Sequence, residues 1–252
     1  MDIDLSGKTI LVTGASGGIG EAIVKALATC KATIAVHFNK NDAHATDLAR
    51  AAGHDSRLFR ADLSKPESGV VLLRNVLDAY GRLDVLVNNA GVYLNSPNDG
   101  KIDEWLAKWN RTIAINLTAA AVLCREAVNY FKQHGGGRII NIASRAAFRG
   151  DYEDYFAYAA SKGGMVALSR TIARTYGKHN VKSFVVAPGF VRTPIVDEYI
   201  KQHGGESIMK ELSLNELTEP KDVAPTVVFL ASGLMDHATG CAIDINAASY
   251  VR

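Results

Sequence analysis

Tyr158 and Lys162 stand four residues apart in Tyr158-Ala159-Ala160-Ser161-Lys162, inside a long apolar stretch free of proline, so a helix there sets both side chains on one face. A phenol titrates near 10 in water, and an ammonium held about 4–6 Å away favours the phenolate and draws the group toward neutral pH. Such a phenol can give or take a proton during a reaction. Tyrosine and lysine at this spacing also meet on ordinary exposed helices, so the pair gains chemical meaning only from what accompanies it.

Thr13-Gly14-Ala15-Ser16-Gly17-Gly18-Ile19-Gly20 accompanies it, directly after a first predicted strand and opening a first predicted helix, the context in which a glycine cluster marks a dinucleotide site. Gly14 permits the tight turn, Gly18 admits a pyrophosphate to the backbone, and Gly20 brings helix and strand together. The helix N-terminus then offers N–H donors and a positive dipole end to the phosphates. Cofactor choice is read at the end of the second strand, in His37-Phe38-Asn39-Lys40-Asn41. An acid about 20 residues beyond the last glycine would bond the ribose 2′-hydroxyl; Asn39 stands there instead and Lys40 follows, which favours NADP(H) while leaving NAD(H) possible. A merely solvated Lys40 is the structural alternative, and nearby Asp42 tempers the argument. Asp62, after the third strand, could accept from an adenine amino group or cap the helix beginning near Pro66, a task for which Ser64 is at least as natural.

These residues need elements to position them. Short apolar, β-branched or leucine-rich runs at 9–12, 32–38, 57–61, 85–88, 138–142, 182–186 and 242–245 alternate with longer helical patterns, the rhythm of βαβ units around a parallel sheet covered on both faces. Gly53, Gly81, Gly135 to Gly137 and Gly177 fall just past helical stretches, where a left-handed cap is wanted. The expected fold is α/β, a Rossmann-type doubly wound seven-stranded parallel sheet with helices on both faces, one domain over 1–252. The stretch 190–217, with Gly204-Gly205 and mixed charges, reads as a substrate lid or as a helical surface insertion without a role in binding.

Composition narrows the function. With 28 Lys and Arg against 26 Asp and Glu, a net charge of +2 gives no reason to expect nucleic acid or an anionic membrane as partner. Met1-Asp2-Ile3-Asp4-Leu5 lacks the layout of a signal peptide, and no apolar run approaches the ~18 residues of a membrane span, so a soluble cytoplasmic protein is expected. Cys30, Cys124 and Cys241 are scattered and read as small buried hydrophobes. The seven histidines show no ligand spacing, His134 and His203 lie beside glycines in expected loops, and no metal site is expected.

Together, the turn from Thr13 to Gly20, Asn88-Asn89-Ala90-Gly91, Asn116, Ser144, Tyr158-x-x-x-Lys162 and Pro188-Gly189 resemble the short-chain dehydrogenase/reductase family over essentially the whole chain. The likeness extends to the subgroup of this length that includes 3-oxoacyl-acyl-carrier-protein reductases. The resemblance implies hydride transfer between a nicotinamide and a carbonyl or secondary alcohol, a 3-oxoacyl thioester among the candidates, and a homotetramer. It implies Tyr158 as acid/base, Lys162 as the group that lowers its pKa and holds the nicotinamide ribose, Ser144 as the donor that orients the substrate oxygen, and Asn116 as holder of a water linking Lys162 to solvent. Cofactor contacts are implied for Gly14, Ser16, Gly18, Ile19, Gly20, Asn39, Lys40, Asp62, Leu63, Asn89, Ala90, Gly91, Tyr158, Lys162, Pro188, Gly189, Val191 and Thr193.

Ser144 follows the strand at 138–142 and so points out at the carboxyl edge of the sheet, although a lone serine there is as often a turn former. Asn88 and Asn89 have a structural reading in bonds to neighbouring backbone. Between Ser144 and Tyr158 the chain carries a cluster of its own: Arg145, Arg149, Asp151, Tyr152, Glu153, Asp154 and Tyr155. Of these tyrosines only Tyr158 has a lysine four residues on. Arg145 and Arg149 would attract an anionic substrate unless Asp151, Glu153 and Asp154 pair with them. Asp244-Ile245-Asn246-Ala247-Ala248 replaces a glycine pair common in relatives, which weakens the implied tetramer. Alternatives are an NAD(H)-dependent alcohol or sugar dehydrogenase, a non-catalytic NADP(H) sensor, which would typically lack the tyrosine or lysine, and a sugar-nucleotide epimerase, which would want a longer chain.

Overall fold

The computed structural model describes residues 2–40 and 42–252. Seven parallel strands, β1 (Thr9–Val12), β2 (Thr33–Phe38), β3 (Arg57–Arg60), β4 (Val85–Asn88), β5 (Gly137–Ile142), β6 (Val181–Pro188) and β7 (Ala242–Ile245), lie in the order β3-β2-β1-β4-β5-β6-β7. Val12 pairs with Val36 on one side and Val87 on the other, so the winding direction reverses at β1, and a crevice opens there beyond the strand ends.

Side chains of β1 alternate between two cores. Ile10 and Val12 meet α1 (Gly18–Thr29), α2 (Asp42–Ala52) and α10 (Pro220–Ser232), whereas Leu11 faces α3 (Ser68–Tyr80), α5 (Ala119–Gln133) and α7 (Phe156–Tyr176). Burying such a side chain contributes about 1.5–3 kcal/mol, more than the ~1 kcal/mol span of strand propensity, so two-sided burial decides the strand assignment. Each strand lies within two residues of its expected place at either end.

Some expectations need correction. Gly53, Gly81, Gly135 and Gly136 do take positive φ, but Gly137 opens β5, Gly177 continues into a tight helical turn at φ −55°, and Asn180 (φ 61°) takes the left-handed position. His203 ends a helix rather than lying in a loop, since 190–217 folds into α8 (Pro194–His203) and α9 (Glu206–Glu211) with Gly204 at φ 79° between them. Ile208, Leu212 and Leu217 close a small apolar cluster against Phe190 and Ile200. Cys124 is buried, whereas Cys30 and Cys241 are half-buried.

Two local features bear on the site. α4 (Ile102–Ile113) runs into α5 through Ala114–Thr118, a widened turn with π-type bonding. After β7, Ala247 (φ 51°) and Ala248 (φ 53°) are both left-handed, a conformation that costs an alanine about 1–2 kcal/mol. No described helix is long and apolar enough to cross a membrane.

Candidate active site

Side chains bond the main chain of the glycine turn and of the segment after β4. Thr13 Oγ1 accepts the N–H groups of Asn89 (2.9 Å) and Ala90 (3.0 Å), and Asn89 Nδ2 donates to the carbonyls of Thr13 (2.9 Å) and Gly14 (3.0 Å). Gly14 has φ 61°, and a Cβ there would lie 2.8 Å from Ala90 Cα. A Cβ on Gly20 would strike the Gly14 carbonyl, and one on Gly18 would lie 2.6 Å from Thr193 Cγ2, so the segment after β6 covers the turn. Ser16 lies in the turn, and Ile19 packs partly on the core.

Sequence reasoning passed over His37, whose only signal was an imidazole within an apolar strand. Its Nδ1 accepts the Gly14 N–H at 3.0 Å, which leaves the proton on Nε2 to be donated to the Ala61 carbonyl at 3.2 Å. Burial pushes this imidazole down to about 4, so the neutral ring ties the turn to the ends of β2 and β3.

Tyr158 and Lys162 project from α7 as expected, but their electrostatics differ from the expectation. Lys162 is buried, donates Nζ to the Ile142 carbonyl at 2.8 Å and stands 5.7 Å from the centre of the Tyr158 ring. Burial pushes its ammonium down to about 8. The Tyr158 phenol is pushed up to about 12 rather than down, because burial and the charge of Asp151 outweigh a hydrogen bond with Ser144.

Ser144 follows β5 and takes up both of its readings. Its Oγ accepts the Ala146 N–H at 3.1 Å as a turn former, and its side chain bonds Tyr158. Asn116, fully buried in the widened turn, accepts the Val92 N–H at 2.8 Å and donates to the Val92 carbonyl at 2.9 Å and to Ser161 Oγ at 3.2 Å. A Cβ on Gly91 would lie 3.4 Å from Asn116 Oδ1 and 3.6 Å from Lys162 Nζ, so both residues border one small space that only glycine leaves open. Pro188 ends β6, Gly189 donates its N–H to Ile245 and presses on Asn246, and Val191 bridges to Thr218. Thr193 caps α8.

At the other end of the crevice a cavity of about 500 Å³ is lined by Asn39, Lys40, Asp62, Ser64, Asn110, Arg111 and Ala114. Asp62 Oδ1 accepts from Ser64 O–H (2.7 Å), Ser64 N–H (3.1 Å) and Asn39 Nδ2 (3.3 Å), and the two Ser64 bonds hold its carboxyl below the usual range. Neither Asp62 nor Ser64 caps a helix, since α3 starts only at Ser68. Leu63 is buried in the core, so a cofactor would meet its main chain. Asn41 and the Asp42 side chain lie outside the described residues. Arg111 was missed in the sequence because it belongs to no motif and reaches the cavity only through the placement of α4.

On the Tyr158 side, Tyr93 stacks on Tyr155 (3.9 Å between ring centres) and meets Tyr158 edge-on at 4.7 Å. Tyr93 O–H and Tyr152 N–H both donate to Asp151 Oδ1, at 3.3 and 2.9 Å. Arg145 and Arg149 pair with Glu211 of α9, each at 2.6 Å, instead of with the local acids, and Tyr152 O–H joins them at 3.0 Å. Burial would raise the Glu211 carboxyl, but the two guanidiniums hold it below its usual range. Among the described residues no group of His, Cys, Asp and Glu could hold a metal ion.

The family model described as short chain dehydrogenase matches residues 8–204. A D-threitol dehydrogenase of Mycolicibacterium smegmatis is 33% identical, covering 100% of this chain and 96% of its own. A 3beta-hydroxysteroid dehydrogenase of Eggerthella lenta is 30% identical over 96% of this chain and 94% of its own. Among solved structures, a putative NAD(P)-dependent gluconate 5-dehydrogenase from Beutenbergia cavernae, with bound NADP at low occupancy, superposes with a TM-score of 0.91 at 30% identity, covering 99% of each chain.

Proposed function

The chain belongs to the short-chain dehydrogenase family, whose members act on hydroxyl groups with NAD(P), and we propose that it is an NADP(H)-preferring oxidoreductase using Tyr158 as its acid/base. The observation that carries this reading is the convergence of Ser144, Tyr158 and Lys162 beyond the ends of β4 and β5, beside the glycine turn. The crevice fits a dinucleotide, since Gly14 and Gly20 have no room for a Cβ and the first N–H groups of α1 have no intrahelical partner. Bound there, the nicotinamide supplies or accepts the hydride.

Tyr158 donates its proton to the substrate oxygen in reduction and removes it in oxidation, while Ser144 bonds the same oxygen as charge develops on it. Lys162 keeps donors for the nicotinamide ribose, and Asn116 borders the space through which a water would link Lys162 to solvent. Because burial and Asp151 hold the Tyr158 phenol above its ordinary value, alcohol oxidation should rise with pH across the neutral and mildly alkaline range, read from a pH–rate profile. Lys40 and Arg111 around the cavity, with Asn39 in place of an acid, support NADP(H). A 3-oxoacyl thioester is the substrate suggested by resemblance, and a cytoplasmic homotetramer belongs to the same reading.

Tyr158→Phe should lower turnover by about 10²–10⁴ with cofactor affinity unchanged, measured by steady-state rates and by quenching of protein fluorescence. Unchanged turnover sinks the assignment. The same titration with NADPH and NADH tests the preference, and tighter NADH binding overturns it.

A further inference from the structure

Resting on the oxidoreductase reading, and in place of the thioester that resemblance suggests, we infer that Asp151 is a specificity residue that accepts a hydroxyl of the substrate, and that the substrate is an uncharged polyol or hydroxyketone. The carboxylate is close enough to Tyr158 for its charge to raise the phenol's pKa, and it bonds Tyr93, whose ring meets Tyr158 edge-on. Oδ1 carries two donors, Tyr93 O–H and Tyr152 N–H, whereas Oδ2 has no partner among the described residues. A half-buried carboxylate with a vacant oxygen favours a ligand that brings an O–H donor, and a second hydroxyl beside the reacting carbon brings one. The stacked rings of Tyr93 and Tyr155 offer an apolar wall to the carbon chain of such a ligand.

An anionic substrate finds no such welcome. Arg145 and Arg149, the cations that would have received it, are both bonded to Glu211, which also takes the Tyr152 hydroxyl. The Asp151 carboxyl, which burial holds above its usual range, stands beside Tyr158 with no cation in contact, since Arg145 and Arg149 act on it only from a distance. A carboxylate or phosphate placed on this wall would meet Asp151 with neither Arg145 nor Arg149 free to receive it.

The test compares xylitol, cyclohexanol and xylonate as substrates of the wild-type enzyme and of Asp151→Asn, which keeps an oxygen for Tyr93 and Tyr152. The wild type should favour xylitol over xylonate by at least about tenfold in kcat/KM, and Asp151→Asn should raise the xylitol KM by about 10- to 100-fold, the effect of one hydrogen bond to a charged group. Removing the Asp151 charge also relaxes Tyr158 and so shifts the rate on every alcohol, and the reading is therefore the ratio of kcat/KM on xylitol to that on cyclohexanol, expected to fall about 10- to 100-fold, with a thermal melt reporting that the variant is folded. Equal losses on xylitol and cyclohexanol, an unaltered xylitol KM, or a wild-type preference for xylonate overturns the inference while leaving the oxidoreductase reading intact. A wild type inactive on all three alcohols and on their ketones overturns both.

Discussion

The two sides of the crevice are joined by different kinds of bond. On the cofactor side, Thr13, His37 and Asn89 bond main-chain groups of the turn and of the chain after β4, and glycines remove the side chains that would intrude. Opposite, side chains bond side chains across long separations, as Arg145, Arg149 and Tyr152 reach Glu211 and Tyr93 reaches Asp151. The first arrangement depends on backbone approach and tolerates few replacements. The second can be rewired one residue at a time, so substrate choice can drift while cofactor binding stays fixed.

Gly20→Ala tests the rigid side most severely. The new methyl would meet the Gly14 carbonyl, with Asn89 Nδ2 at 2.7 Å, so a loss of about 3 kcal/mol in urea denaturation and a cofactor Kd raised by about 100-fold are expected. A variant that binds cofactor normally would erase the contrast.

His37 sharpens it through pH. Its imidazole titrates at about 4 in the folded protein and near 6.5 unfolded, so between those values the unfolded state binds the extra proton and stability falls as pH falls. Denaturation at pH 7 and pH 5 should differ by about 2 kcal/mol from this group, and His37→Gln should flatten the slope.

Glu211→Gln loosens the other side. Arg145, buried beneath Phe190, keeps a partner but loses the opposing charge, so stability should drop by about 1–2 kcal/mol and substrate KM should rise, with cofactor Kd unchanged by fluorescence titration. A shift in cofactor affinity would show that the two sides are coupled. The smallest effect is expected at Ala248→Gly, where relief of a left-handed alanine, offset by the added freedom of the unfolded chain, should raise stability by about 0.5 kcal/mol.

What the sequence displayed was local. Strands such as Val85–Asn88 are legible because burial on both faces leaves a continuous apolar run, and Tyr158 is legible because Lys162 follows at helical spacing. The pairing of Arg145 with Glu211, 66 residues away, has no local signature, and neither has the approach of Arg111 to Asp62 across the crevice. The direction of the Tyr158 shift escaped for the same reason. Spacing places a cation near a phenol, but burial and the position of Asp151 come from the whole fold.

The widened turn at Ala114–Thr118 holds one residue more than an α-helix would use, and each residue of an α-helix advances the facing by about 100°. Arg111, one turn before it, looks into the nucleotide cavity, and Asn116, within it, clasps Val92 beside Lys162. That single added residue acts as a phase-setter. Were it deleted and the helix regularised, α4 and α5 could not both keep their facing, and either the guanidinium would swing out of the cavity or the amide would let go of the strand end. In this chain the timing of one helix thus couples the cavity at Arg111 to the space beside Lys162.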